Sequence, residues 1–270
     1  MMKTDTDSGD LRILADATSA VEAAGRVLLA RFSPANRVHD LPSLLAAIDA
    51  NDIASTEVLR PALSRALPGA RWDDDEEGSG PLGRGEWWVT DAAEGNVNHI
   101  HGSNGWAVTA TLVRDDIPVL TVVHLPLAGE TYSAVRGHGS FLNGQRMSVS
   151  TKSELSAALV ATGQAKPGES SAVKRQLSAS VDRMLDHALL VSAAVPATLQ
   201  IVPVAAGRTD AFWQYGQIRS GLVAGMLLVE EAGGVVLDTH GQPWTLASED
   251  FLATTPSLAS AMTAVLSATR

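Results

Sequence analysis

The chain has 270 residues, 45% of them hydrophobic and 19% charged, with a formal net charge of −10. That composition supplies a core and excludes a disordered chain, and its acidity argues against nucleic acid or an anionic membrane as partner. The absence of cysteine excludes thiol catalysis, disulfides and thiolate metal sites. Anionic substrates stay open, because metal ions or backbone N–H groups bind phosphate locally.

The opening, residues 1–10, is polar and acidic and lacks the basic-then-apolar order of a signal peptide. No apolar run reaches the ~18–20 residues that a bilayer span needs, so a soluble, cytoplasmic protein is expected. Leu14, Ala17, Val21, Ala24, Val27 and Leu28 recur at three and four and predict a helix over 11–32, closed by Ser33-Pro34. A second helix is predicted over about 53–67, before Pro68-Gly69. Residues 73–85 are acidic, then rich in glycine, and read as an exposed loop.

Trp87-Trp88-Val89-Thr90 predicts a short buried strand that ends at Asp91, with both tryptophans in the core. Strands over 106–113, 118–124 and 130–135 follow as a meander, punctuated by Gly137, Gly139 and Asn143-Gly144. Beyond residue 150 the pattern is α/β. Strands are expected over 157–162 and 188–191, and helices over 197–206 and 221–232, the latter closed by Gly233-Gly234. A strand over 251–254 and a helix over 257–268 end the chain. There is no internal repeat and no low-complexity linker. The expected organisation is an α+β half, 1–150, and an α/β half, 151–270.

Several runs carry a family resemblance. Glu130-Thr131-Tyr132-Ser133-Ala134-Val135 leads through Gly137-His138-Gly139 to Phe141-Leu142-Asn143-Gly144. Ahead of it stands Val122-Val123-His124-Leu125-Pro126. Further on come Val204-Ala205-Ala206-Gly207-Arg208-Thr209-Asp210-Ala211-Phe212-Trp213 and Val229-Glu230-Glu231-Ala232-Gly233-Gly234. In type, order and spacing these resemble the inositol monophosphatase family over most of the chain. The resemblance implies an α/β fold, a layered αβαβα sandwich whose two halves form one catalytic domain. It implies magnesium-dependent phosphomonoester hydrolysis, a small-molecule substrate and a homodimer. Magnesium there neutralises phosphate, lowers the pKa of a bound water and steadies the leaving oxygen.

The family's site residues map onto this sequence one by one. Asp52 matches an Asp before the second helix that orients the attacking water. The Glu-Glu pair of metal-binding residues falls on Asp75 and Glu76, with Asp73, Asp74 and Glu77 alongside, so the register could slip by one or two. The motif Asp-Pro-x-Asp-Gly-Thr is here Asp91-Ala92-Ala93-Glu94-Gly95-Asn96. Asp91 is retained as metal ligand and catalytic residue, and the Ala93 carbonyl as ligand. Glu94 is longer than the Asp it replaces, and Asn96 stands for the Thr, with Gly95 at the substrate. The carboxylate expected where the penultimate helix starts is Gly221. A polyol-binding Glu is Gln214.

His99 is a polar substitution beside this motif and is assigned to substrate binding. Arg219, near the lost carboxylate with Gln217, either binds an anion or faces solvent. The acidic string 73–77 would, on composition alone, be a solvated loop.

Each change matters because Mg–O distances of about 2.0–2.1 Å tolerate little displacement. One metal position is still assembled from Asp75, Asp91 and the Ala93 carbonyl, whereas a second keeps only Asp91 and Glu94. Asn96 offers hydrogen bonds but no hydroxyl to relay a proton. Weak Mg²⁺ binding at most is expected, with the second site lost. The expected function is an enzyme with a remodelled site, repurposed for a step such as cyclisation, dehydration or isomerisation of a small metabolite. The alternatives are a weak or unusual-substrate magnesium phosphatase and a catalytically silent binding or regulatory homologue.

Overall fold

The computed structural model describes residues 3–75, 78–165, 168–216 and 218–268, with side chains from residue 9 onward. It resolves into two compact units, one of residues 1–76 and 82–145, the other of 77–81 and 146–270. The fold is mixed α/β, with one sheet in each unit.

The first unit opens with α1 (Lys3–Arg31) and α2 (Leu41–Ala66). Its sheet follows in chain order: β1 (Arg71–Asp73), β2 (Glu86–Glu94), β3 (Ala107–Arg114), β4 (Ile117–Leu125), β5 (Glu130–Val135), β6 (Gly139–Leu142) and β7 (Gln145–Arg146). Short α3 (Asn96–Ile100) interrupts it after β2. β1 joins β2 in parallel and the pairs from β2 to β6 are antiparallel, the meander that alternating apolar runs separated by glycine turns produce. Ala17, Ala20, Val21, Ala24 and Leu28 form the buried stripe of α1 and meet Leu59 and Leu63 of α2 over Trp88, Ala110, Leu112 and Val122. Gly25 sits where α1 touches β4: a Cβ there would lie 2.6 Å from His124 Cδ2. Arg114 joins Asp10 of α1 to Glu86 of β2 through hydrogen bonds of 2.9–3.1 Å.

Two expectations need correction here. The second helix begins at Leu41, not near 53, so Asp52 lies inside it. Asp40 caps that helix by accepting from the Ser43 N–H at 2.8 Å, and Pro42 falls in the first turn, where its missing N–H costs nothing. The hydrophobic period hides this first half because its inward positions are polar, Asn51 and Ser55, while Leu41 and Leu45 are exposed. Nor are both tryptophans core. Successive strand residues point to opposite faces, so Trp88 is buried while Trp87 stacks on the Arg71 guanidinium, 3.9 Å from the ring centroid.

The second unit holds β8 (Leu159–Thr162), α4 (Ser171–His187), β9 (Leu190–Ala193), α5 (Thr198–Ala205), β10 (Ala211–Tyr215), α6 (Arg219–Glu231), β11 (Val235–Leu237), β12 (Asp250–Thr254) and α7 (Ala259–Ser267). Its sheet runs β11-β12-β10-β8-β9. Trp213 faces the α4 and α7 side with Met184, Leu258 and Met262, and its indole N–H donates to Ser180 Oγ at 2.9 Å. Helix α4 is absent from the sequence reading, although Val173, Leu177, Val181 and Met184 keep helical spacing behind the Ser170 cap. Asp210, buried ahead of β10, accepts from Lys152 Nζ at 2.8 Å and from the Leu159 N–H at 2.7 Å. Desolvation works to raise its pKa, but the bonds from Lys152, Ser150 and Leu159 outweigh it and hold the carboxyl below the usual range. No helix among the described residues is long and apolar enough to cross a membrane.

Candidate active site

In the first unit the site residues gather where β2 turns into α3. Asp91 pairs with Thr109 but Glu94 pairs with Ala107, so β2 carries an extra residue as a bulge. Within it Asp91 Oδ1 accepts from the Ala93 N–H at 3.0 Å, and the Asp91 N–H donates to Thr109 Oγ1 at 3.1 Å. Ser55 on α2 donates to the Ala92 carbonyl at 2.6 Å and fixes the bulge against the helix. Gly95 then takes φ of 76°, the left-handed region that favours glycine. Its carbonyl accepts from the Asn98 and His99 N–H groups and starts α3. Glu94 is buried at 6% exposure.

Asn96 is fully engaged. Its Nδ2 donates to Asp52 Oδ1 at 2.9 Å and to the Ile48 carbonyl at 3.1 Å, while its Oδ1 accepts from Asn51 Nδ2 at 2.8 Å. The carboxylate expected to orient water is thus bonded to an amide. An amide N–H holds a carboxylate in place but exchanges no proton with it or with water.

The same Asn51 amide lies 3.0 Å from His99 Nδ1, and His99 Nε2 donates to the Leu28 carbonyl at 2.9 Å. His99 is 2% exposed and packs edge-on against Trp106 and Phe32. Burial lowers its pKa; the Leu28 carbonyl works against this and the nearby Arg31 charge adds to it. The structure thus holds His99, the residue expected at the substrate, inside this network. Both ring nitrogens are engaged within the protein, and the imidazole braces α3 against α1 and α2.

Asp75 is exposed beyond the end of β1, and its neighbour Asp74 pairs with Arg60 at 2.7 Å on the surface. Glu76 and Gln217 lie outside the described residues.

In the second unit Gln214 is buried in β10 and lies against Gly163, where a Cβ would come within 2.3 Å of its Oε1. Arg219 is the first residue of α6, not solvent-facing but 7% exposed. Its Nη1 donates to the Ser79 and Gly80 carbonyls at 2.9 and 2.7 Å, and its N–H to the Gly78 carbonyl at 2.9 Å. α6 therefore starts two residues before Gly221, and its first turn carries no acidic residue. A Cβ at Gly221 would meet Ala197 Cβ at 3.8 Å, an ordinary van der Waals contact.

Among the described residues no three or more His, Cys, Asp and Glu side chains gather as a metal centre. The donors fit a single magnesium in part. Asp91 and Glu94 bring hard oxygens to one bulge, but Asp91 Oδ1 already serves the Ala93 N–H. In the second unit Gly221 brings no carboxylate to the first turn of α6.

A sequence model of the inositol monophosphatase family matches residues 10–269. The chain belongs to the inositol monophosphatase family. One family relative, an inositol-1-monophosphatase of Rhizobium meliloti, is 32% identical over 192 residues, 70% of this chain and 71% of that protein. A putative Nus factor SuhB of Neisseria meningitidis is 30% identical over 218 residues, 80% of this chain and 83% of that one. The inositol monophosphatase structure from Anabaena superposes with a TM-score of 0.77 at 27% identity, covering 94% of this chain and 95% of that one. The two-sheet fold is thus the inositol monophosphatase fold.

Asn51 and Ser55 escaped the sequence reading. Their signal was polar residues at helical spacing i and i+4, on the stripe that Leu59 and Leu63 continue.

Proposed function

We propose that this inositol monophosphatase family member is an enzyme whose active site has been rewritten, so that it acts on a small metabolite by a step other than efficient phosphate hydrolysis. Cyclisation, dehydration and isomerisation are reaction classes that need no two-metal centre. The observation that carries the reading is Asn96. Its amide is spent on Asp52, Ile48 and Asn51, where the family's Thr would offer a hydroxyl. Gly221 and Glu94 support it, since one removes a ligand and the other displaces one. The chain's own groups still bind and orient: Asp52, Asp91 and Glu94 supply negative charge and acceptors, and Asp91 with the Ala93 carbonyl would hold one magnesium, which when bound polarises a substrate oxygen. A cytoplasmic homodimer with a small-molecule substrate completes the reading.

A magnesium-dependent phosphate-release assay on inositol 1-phosphate tests it. Turnover far below that of an ordinary family member is expected, and a family-like rate would overturn the proposal. A second reading, binding or regulation without catalysis, draws on the relatives named Nus factors. It predicts that Asp91→Asn leaves the cellular phenotype of the wild-type gene intact.

A further inference from the structure

A cavity of about 360 Å³ opens beside the first unit's buried network and is lined by Arg31, Asn36, Arg37, Val38, Asn51 and His99, among others. It takes in none of Asp52, Asp91, Glu94 and Asn96. Two arginines share it, and no carboxylate lines it among the described residues. In a chain of net charge −10, this is not a by-product of a generally basic surface.

Each arginine keeps donors in reserve. Arg31 makes one hydrogen bond, from Nε to Asn51 Oδ1 at 2.8 Å, and its two terminal nitrogens have no partner among the described residues. Arg37 uses Nη1 on the Pro34, Asn36 and His101 carbonyls, while its Nε and Nη2 have no partner among the described residues. A bland account gives Arg31 the role of a helix end charge, favourable in the last turn of α1. That account leaves unexplained why Arg37 meets it across a cavity of metabolite size. Planar guanidinium forks with spare N–H groups match the oxygens of phosphate and carboxylate, and the volume lies in the range of small-ligand pockets.

Asn51 joins this cavity to the candidate site. The chain of bonds runs from Arg31 Nε to Asn51 Oδ1 at 2.8 Å, from Asn51 Nδ2 to Asn96 Oδ1 at 2.8 Å, and from Asn96 Nδ2 to Asp52 Oδ1 at 2.9 Å. Asn51 is 4% exposed, so water cannot replace Arg31 at its oxygen without cost. We propose that the cavity is a binding site for a small oxyanion, phosphate or carboxylate, held by Arg31 and Arg37, and that its occupancy is linked through Asn51 to the Asn96–Asp52 pair. The anion draws on the guanidinium that positions Asn51, and Asn51 positions Asn96. Linkage is reciprocal, so whatever binds at Asp52 also alters anion affinity. The inference is independent of the reaction assigned above.

Calorimetric titration of the full chain with inorganic phosphate, and separately with succinate, in magnesium-free buffer containing EDTA tests the site. Saturable binding of one of them is expected, and which one binds names the anion. Arg37→Gln should weaken it at least about tenfold, the loss of one charge-assisted pair. Arg84→Gln, an exposed arginine outside the cavity, removes the same charge and should leave affinity unchanged. Arg37 is exposed, so its loss does not threaten folding, and Arg31→Lys gives a second variant that keeps charge but loses the fork. No saturable binding of either anion, or equal weakening by Arg37→Gln and Arg84→Gln, would overturn the site. The Asn96 side-chain amide resonances should shift with the binding midpoint; resonances unmoved at saturation would overturn the linkage.

Discussion

The Asn51 amide touches Arg31, Asn96 and His99 at once, and through them ties α1, α2 and α3 into one polar knot. Such a knot is rigid only while every member stays satisfied. His99 makes it sensitive to pH. An unfolded histidine takes up a proton near pH 6.5, but folded His99 resists it, chiefly because burial disfavours the charge. His124 is shifted the same way, again chiefly by burial. Below about pH 6.5 the unfolded state therefore binds more protons, and stability falls as pH falls through that window. Urea midpoints measured from about pH 7.5 to about pH 5.5 should decline, and His99→Gln should flatten the decline. An equal slope in that variant would remove His99 from the account. From sequence, His99 is a lone polar residue next to an altered motif, and nothing local says that both its nitrogens are met from other elements.

Elements were legible where packing follows a period. The α1 stripe, the β3–β5 meander and β12 follow from apolar spacing and turn residues. The glycine-rich run after β5 was legible for a stronger reason: Gly137, Gly139, Asn143 and Gly144 all take positive φ, which few other residues accept. The first half of α2 was hidden because Asn51 and Ser55 face inward, Asn51 to serve α3 and Ser55 the bulge after Asp91. α6 shows packing overruling propensity. Gly225 of α6 lies against Ile201 of α5, where a Cβ would sit 2.5 Å from Ile201 Cγ2. Gly225→Ala gains about 1 kcal/mol in helix propensity, but the forced separation of two packed helices costs about 1–3 kcal/mol. A net loss of stability is expected in thermal unfolding, and a raised Tm would show that α5 yields. At the start of α2, Asp40→Ala should lower the thermal unfolding midpoint by removing the cap on Ser43.

At the scale of the whole molecule, each unit keeps its own core, while on the proposed reading the departures from the family pattern fall at a few positions. Glu94 and Asn96 sit side by side on the bulge and α3, and Gly221 lies in the first turn of α6. A chain losing function by drift would erode both. The scaffold motifs named the family from sequence, whereas the fate of Asn96 needed three dimensions, because its partners Ile48, Asn51 and Asp52 come from another helix. Restoring the family residues separates loss of ligands from deeper remodelling. Gly221→Asp adds a Cβ that meets only ordinary van der Waals contacts, and a carboxylate in a first helical turn is favoured by the dipole. Combined with Glu94→Asp and Asn96→Thr it should give a folded protein that gains magnesium-dependent phosphatase activity. A folded triple variant with no gain would mean that the change extends beyond these residues. The most direct measurement is a calorimetric titration of the unaltered protein with Mg²⁺. At most one weak site is predicted, from Asp91 and the Ala93 carbonyl, and two tight sites would contradict the account and restore an ordinary phosphatase.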